Sequence, residues 1–257
     1  MPSISTLLLA ILLNGIAAYG SYRKEAVTAD GAAAGFLVGA TVFVGAGVAG
    51  WFMLMWFFGS SSLIGRLSTE TKERAVRMHE KGSRRDWVQV AANGGVAAVG
   101  AAAHAITGHP VAIVTVAASL AAATADTWAS EIGSLSSHRP RSIVSFRPLP
   151  TGTSGGVTLL GTLASLGASL SIALIFLTAS PGAPWGAATV VTAAGFLGSI
   201  VDSVLGATIQ AEYENDEGER TEKRAGNRLI RGLPAVTNDA VNAVSGLLAT
   251  AAAVALV

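Results

Sequence analysis

The sequence predicts an all-α protein: a polytopic membrane helix bundle of about eight transmembrane helices, with N- and C-termini outside. Three observations predict it. Of 257 residues, 51% are hydrophobic and only 13% are charged, with a mean hydropathy of +0.54. A water-soluble chain carries roughly twice that share of charge, so this one cannot cover a water-facing surface, and a soluble monomer is excluded. All 17 Lys and Arg fall in four segments, residues 23–24, 66–85, 139–147 and 220–231, with apolar stretches between them. The 30 glycines in an Ala-rich chain suit helices packed through small residues. The same composition excludes other classes. With no cysteine there are no disulfides, thiol nucleophiles, iron–sulfur clusters or cysteine zinc sites. A net charge of +1 supplies no field for nucleic acid.

The apolar stretches are residues 4–19, 31–65, 88–106, 111–125, 157–179, 186–207 and 240–257. The first does not read as a cleavable signal, since Met1–Ser3 lacks a positive region and no small-residue cleavage site follows. A span needs roughly 17–25 apolar residues, so 31–65 is too long for one and short for two. Basic loops face the cytoplasm. If all four basic segments do, an even number of helices lies between successive ones. The stretches 88–106 and 111–125 form one such pair, joined by residues 107–110. Those at 157–179 and 186–207 form another, joined by residues 180–185. Closure then requires 31–65 to be a hairpin of two short helices turning near the glycines of 45–50. The chain reads as one transmembrane domain, 1–257, with cytoplasmic loops 66–87, 134–154 and 211–236. Within them, 69–85 is expected to be an interfacial helix. The acidic part of 213–228 (Glu214, Asp216, Glu217 and Glu219) is expected to be a solvated loop.

Four carboxylates lie in or at the ends of apolar helices: Asp126, Glu131, Asp202 and Asp239. Each costs about 2.5–3.5 kcal/mol to insert and marks function or a buried partner. The topology puts all four toward the cytoplasmic side, with Asn93 at the same depth and Asn238 and Asn242 on one face beside Asp239. Carboxylates from three helices at one level suit a hard cation such as Mg²⁺, which prefers oxygen ligands and substrate phosphates. The plainer alternative is polar glue between helices.

The segment from Thr151 through Gly152, Thr153, Ser154 and Gly155 to Gly156 follows a basic loop and opens the next helix. Small residues let backbone N–H groups approach a phosphate, and a helix N-terminus adds its positive end. It is not a P-loop, because no Lys follows the glycines. The glycines at 45, 47 and 50 match a dinucleotide pattern only by letter, as no strand precedes them. Arg23, Lys24, Arg141 and Arg231 are placed to neutralise phosphates. Arg85 and Trp87 read as interfacial anchors, His104 and His109 as structural, and His79 and His138 as loop residues.

Six motifs in order carry a resemblance. They begin at Arg23 (RKEAVT), Gln89 (QVAANG), Ala125 (ADTWASEIG), Thr151 (TGTSGGV), Gly195 (GFLGSIVDSVLGA) and Thr237 (TNDAVN). Together they resemble the transmembrane-protein-19-like family that includes plant phytyl-phosphate kinase, over nearly the whole chain. A more distant likeness is to dolichol and phytol kinases and CDP-diacylglycerol synthases. There Asp126, Ala129 and Gly133 match an Asp-x-x-Ala-x-x-x-Gly helix, and 151–156 takes the place of a phosphate motif. The Lys-Thr-x-Glu-Gly form of that motif is missing, and no His-Gly-Gly precedes Asp239.

The resemblance implies a CTP- or other NTP-dependent kinase that converts an isoprenoid monophosphate, such as phytyl or geranylgeranyl phosphate, to its diphosphate at the cytoplasmic membrane face. Asp126, Asp202 and Asp239 are assigned to Mg²⁺ with Glu131 beside them. Thr151, Thr153, Ser154, Gly155 and Gly156 cradle phosphate. Asn93, Asn238 and Asn242 orient ligands, and Arg23, Lys24, Arg141 and Arg231 supply charge. Expected partners are the bilayer, a prenyl phosphate and a nucleoside triphosphate, with no nucleic acid; a homodimer stays open. Open alternatives are an ion-coupled transporter, a CTP-dependent cytidylyltransferase making a CDP-lipid, and a membrane scaffold.

Overall fold

Seven helical elements run through the computed structural model, which describes residues 2–67, 84–179 and 185–257. They are α1 (Ile4–Arg23), α2 (Ala29–Ile64), α3 (Trp87–Thr107), α4 (Val111–Gly133), α5 (Leu159–Ala179), α6 (Trp185–Thr208) and α7 (Asn238–Ala255). All but α7 are long and apolar enough to cross a membrane by length and composition. The chain is thus a polytopic helical bundle. α7 carries Asn238, Asp239 and Asn242 in its first turns.

The helix α4 is the centre, packed against α2, α3, α5, α6 and α7. Its buried run of Ala117, Ala118, Ala121, Ala122 and Ala125 explains the position, because short side chains let backbones approach closely. A Cβ built at Gly195 of α6 would stand 2.7 Å from the Cβ of Ala121, and one at Gly198 would stand 2.9 Å from that of Ala122. The outer surface is apolar: α1 exposes Leu8, Ile11 and Leu12, as lipid-facing residues should be.

The 36-residue α2 doubles back at Gly47, whose φ of 65° and ψ of −163° are not helical. Arg85 proves the return. Its backbone N–H donates to Ala26 O at 3.1 Å and its carbonyl accepts from Thr28 N–H at 3.0 Å, just ahead of α2. Its guanidinium lies 5.8 and 5.4 Å from the rings of Phe57 and Phe58, near the other end. A straight helix of this length would span about 54 Å, beyond the reach of one residue. His104 Nδ1 lies 2.7 Å from Gly45 O and holds the turn, which falls within the 45–50 segment.

Two small sheets decorate the charged end. β1 (Arg141–Ser142) pairs with β2 (Gly156–Val157). The strands β3 (Glu212–Glu214), β4 (Arg220–Thr221) and β5 (Arg228–Arg231) form an antiparallel sheet in the order β4-β3-β5. Asp216, Glu217 and Glu219 occupy an exposed turn, as a solvated acidic loop would. Glu214 instead belongs to a strand, because opposite charges meet across the sheet. Glu214 pairs with Arg228 at 3.2 Å, and Glu212 with Arg220 at 3.1 Å and Arg231 at 3.3 Å. The interfacial helix expected over 69–85 lies outside the described residues except for Arg84 and Arg85, as do His79 and connector residues 180–184.

Candidate functional site

Asp126 on α4 and Asp202 on α6 meet because of the packing below them. Ala122 touches Gly198, and each aspartate lies four residues further on, one helical turn above that contact. Their carboxyl groups interact directly. Ser245 of α7 donates to Asp202 Oδ2 at 3.0 Å, and Asp202 is only 9% exposed. Asn93 of α3 and Asn242 of α7 flank the pair. The Asn242 Oδ1 atom is buried without a hydrogen-bond partner among the described residues.

Above the pair opens a cavity of about 990 Å³ at the end of the bundle that carries the charged loops. Asp126, Asp202, Asp239, Glu131, Asn93, Asn238 and Asn242 all line it, as do Lys24 and the whole 151–156 segment. The carboxylates share this space without forming one compact cluster. Among the described residues, no three His, Cys, Asp or Glu side chains group as a metal site. Asp126 and Asp202 are the pair in direct contact.

The 151–156 segment is a loop shaped by Gly152 (φ 89°) and Gly155 (φ 79°). At such angles an L side chain is strained. A Cβ at Gly155 would also overlap Ala207 at the end of α6. The loop does not itself open a helix. Its last residue, Gly156, begins β2, and Thr158 Oγ1 accepts from Gly161 N–H at 3.0 Å, so Thr158 performs the capping of α5. The loop is seated on the C-terminal end of α6 instead, and its backbone amides rather than a helix N-terminus are what it offers a phosphate. The Thr153 Oγ1 atom is buried without a hydrogen-bond partner among the described residues.

A polar latch fixes this loop. Ser154 Oγ donates to Glu222 Oε1 at 3.0 Å, and Gln210 Nε2 donates to Ser154 Oγ and Glu222 Oε1, each at 2.8 Å. Arg231 braces the loop from behind and does not line the cavity. Its Nη1 donates to Ala207 O at 2.8 Å and its Nη2 to Ser154 O at 3.5 Å, while Glu212 holds its Nε. Arg23 and Arg141 also lie off the cavity lining. Arg23 sits over the Tyr19 ring at 6.0 Å, and Arg141 donates to Phe146 O at 3.0 Å.

Other residues reach the cavity that the sequence argument did not assign: Arg66, Arg84, Arg85, Gln210, Glu222 and Arg224. Arg85 is half-buried, and its Nη1 atom is fully so. Burial pushes its guanidinium pKa down, and the Glu131 carboxylate nearby pushes it up. The signal for Arg85 was its place directly before a capping box. Asp86 Oδ1 accepts from Gln89 N–H at 2.9 Å, and Gln89 Oε1 accepts from Asp86 N–H at 3.1 Å. A residue tied to that box is held in a fixed direction.

The family described as integral membrane protein DUF92 matches residues 12–250. The chain is 33% identical to Protein PGR of Arabidopsis thaliana, over 94% of this chain and 93% of that one. It is 31% identical to an uncharacterised membrane protein of Methanocaldococcus jannaschii, over 82% and 86% respectively. A Synechocystis membrane protein, also uncharacterised, is 26% identical over 99% of this chain and 91% of its own. No solved structure matches.

Proposed function

This chain belongs to the DUF92 family of integral membrane proteins, and from that premise we propose that it is a phosphotransferase. It moves the terminal phosphoryl group of a nucleoside triphosphate, CTP foremost, to an isoprenoid monophosphate such as phytyl or geranylgeranyl phosphate. One observation carries the reading: the touching Asp126–Asp202 pair and the small-residue loop 151–156 line the same cavity. The motif resemblance to phytyl-phosphate kinase supports the choice of substrate.

The chemistry asks for positioning and charge neutralisation more than for a protein nucleophile. An oxygen of the prenyl phosphate attacks the γ-phosphorus, the bond to the β–γ bridging oxygen breaks, and that oxygen leaves on the nucleoside diphosphate. The acceptor is already an anion at neutral pH, so no general base is required. Asp126 and Asp202 present hard oxygen donors side by side, which fits Mg²⁺ carried in on nucleotide phosphates, where one or two carboxylates suffice. The ion would neutralise charge on the transferring group. Backbone amides of 151–156 would hold the phosphates, and Lys24 would add positive charge. A cytoplasmic-facing cavity mouth, as the distribution of basic loops predicts, would admit nucleotide from water and the lipid phosphate from the interface.

The test is purified protein in detergent with Mg²⁺, CTP and geranylgeranyl phosphate, the products identified by mass spectrometry. Geranylgeranyl diphosphate with CDP is the expected result. A CDP-prenyl product with pyrophosphate would reassign the protein to cytidylyl transfer. No product with either CTP or ATP across several prenyl phosphates would overturn the reading.

A further inference from the structure

The cavity has two chemically different walls. One is the glycine loop with Tyr213, Glu222 and Arg224 from the β3–β5 sheet region, all carried outside the helices. The other is built from the end of α1, the returning arm of α2 and the start of α3, and its charged side chains are Lys24, Arg66, Arg84 and Arg85 with Glu25 among them. We propose that Arg85, assisted by Arg84 and Lys24, is a second anion subsite that receives the phosphomonoester head group of a lipid. The inference deepens the phosphoryl-transfer reading and rests on it for the identity of the acceptor.

Arg85 is held before any ligand arrives. Its backbone bridges to Ala26 and Thr28 on one side and leads into the Asp86–Gln89 capping box on the other. Its guanidinium packs against Phe57 and Phe58. Its Nη1 is nonetheless buried with no acceptor among the described residues, and so is the Nε of Arg84. Buried donors without acceptors are costly, and a guanidinium in that state is suited to a phosphate, which accepts at several oxygens. Glu131 lies near enough to act on Arg85 electrostatically, so the wall carries a moderated positive charge.

The direction of approach follows from the neighbours. Arg84 lies 5.9 Å from the ring of Tyr22, and Tyr19 and Tyr22 are exposed at the end of α1, where aromatic residues mark the membrane interface. Below them α1 presents exposed leucines and isoleucines. A lipid phosphate at this interface meets the Arg85 wall first, whereas a soluble nucleotide meets the loop wall.

The experiment measures binding, independent of turnover, on the full chain in nanodiscs, with radiolabelled farnesyl phosphate, inorganic phosphate and CDP as separate probes. Arg85→Gln is expected to weaken farnesyl phosphate on the order of tenfold or more and to leave CDP affinity unchanged, with Arg85→Lys recovering part of the loss. Should Arg85→Gln fail to fold, the wild-type protein serves. Farnesyl phosphate should protect Arg85 from phenylglyoxal modification, read by peptide mass spectrometry, and CDP should not. Equal loss of both ligands, no loss of either, or no protection would overturn the assignment. Inorganic phosphate binding as tightly as farnesyl phosphate would overturn the lipid source. Wild-type protein that binds farnesyl phosphate through Arg85 yet turns over no nucleotide would remove the kinase reading and leave this subsite standing.

Discussion

Asp126 and Asp202 touch across the α4–α6 contact, each one turn beyond the Ala122–Gly198 approach that lets the two backbones come together. Two carboxyl groups in contact repel when both are charged, so a proton or a cation between them relieves the pair. Ser245 fixes one of the two from α7. The packing of small residues below and the chemistry above are thus one device. Any change that separates the helices separates the carboxylates.

Asp126→Asn and Asp202→Asn remove charge while keeping shape. Turnover should fall by about 10²-fold or more, while the melting temperature in detergent should hold or rise, because the repulsion is gone. Assay and thermal unfolding on the same preparations separate the two effects.

Gly155→Ala tests the loop. The residue sits at φ 79° against Ala207, and forcing a side chain there costs about 1–3 kcal/mol. Nucleotide affinity should drop, with binding of farnesyl phosphate affected less. Isothermal titration with CDP and with farnesyl phosphate reads the difference.

Arg231→Gln tests the brace. Ala207 O and Ser154 O lose a charged donor, and buried Glu212 keeps only Arg220 as its ion-pair partner among the described residues. A stability loss of about 1–3 kcal/mol is expected, with KM for nucleotide rising more than kcat falls. Equal losses in both constants would assign Arg231 to the transition state instead.

Gly47→Ala tests the hairpin. Nothing lies within 4 Å of a Cβ built there, so the cost is conformational, about 1–3 kcal/mol. Thermal unfolding should show it, and His104→Ala should lower stability as well through the lost contact to Gly45 O.

What was legible in the sequence was what depends on periodic or one-dimensional signals. Segregated basic residues and span lengths located the helices and required 31–65 to return on itself, which Gly47 accomplishes. Helix register put Asp126 and Asp202 at one level. The less legible features depend on three-dimensional pairing. Glu212, Glu214, Arg220, Arg228 and Arg231 form a sheet by matching charges across strands, a pattern with no apolar period to betray it. Positive-inside bias accounts for every basic residue equally, so it could not separate Arg85, turned into the cavity, from Arg23 and Arg141, which lie off it. Thr158 rather than the glycine loop caps α5, a distinction of a few residues that composition does not resolve.

The most direct test of the central claim follows the γ-phosphate itself. Wild-type protein and Asp202→Asn are given Mg²⁺, geranylgeranyl phosphate and CTP carrying a labelled γ-phosphate. The account predicts label in the terminal phosphate of geranylgeranyl diphosphate with wild-type protein, matched by CDP, and a rate of transfer lower by about 10²-fold or more with Asp202→Asn. Label remaining in CTP or appearing in pyrophosphate, or equal transfer by the variant, would contradict it.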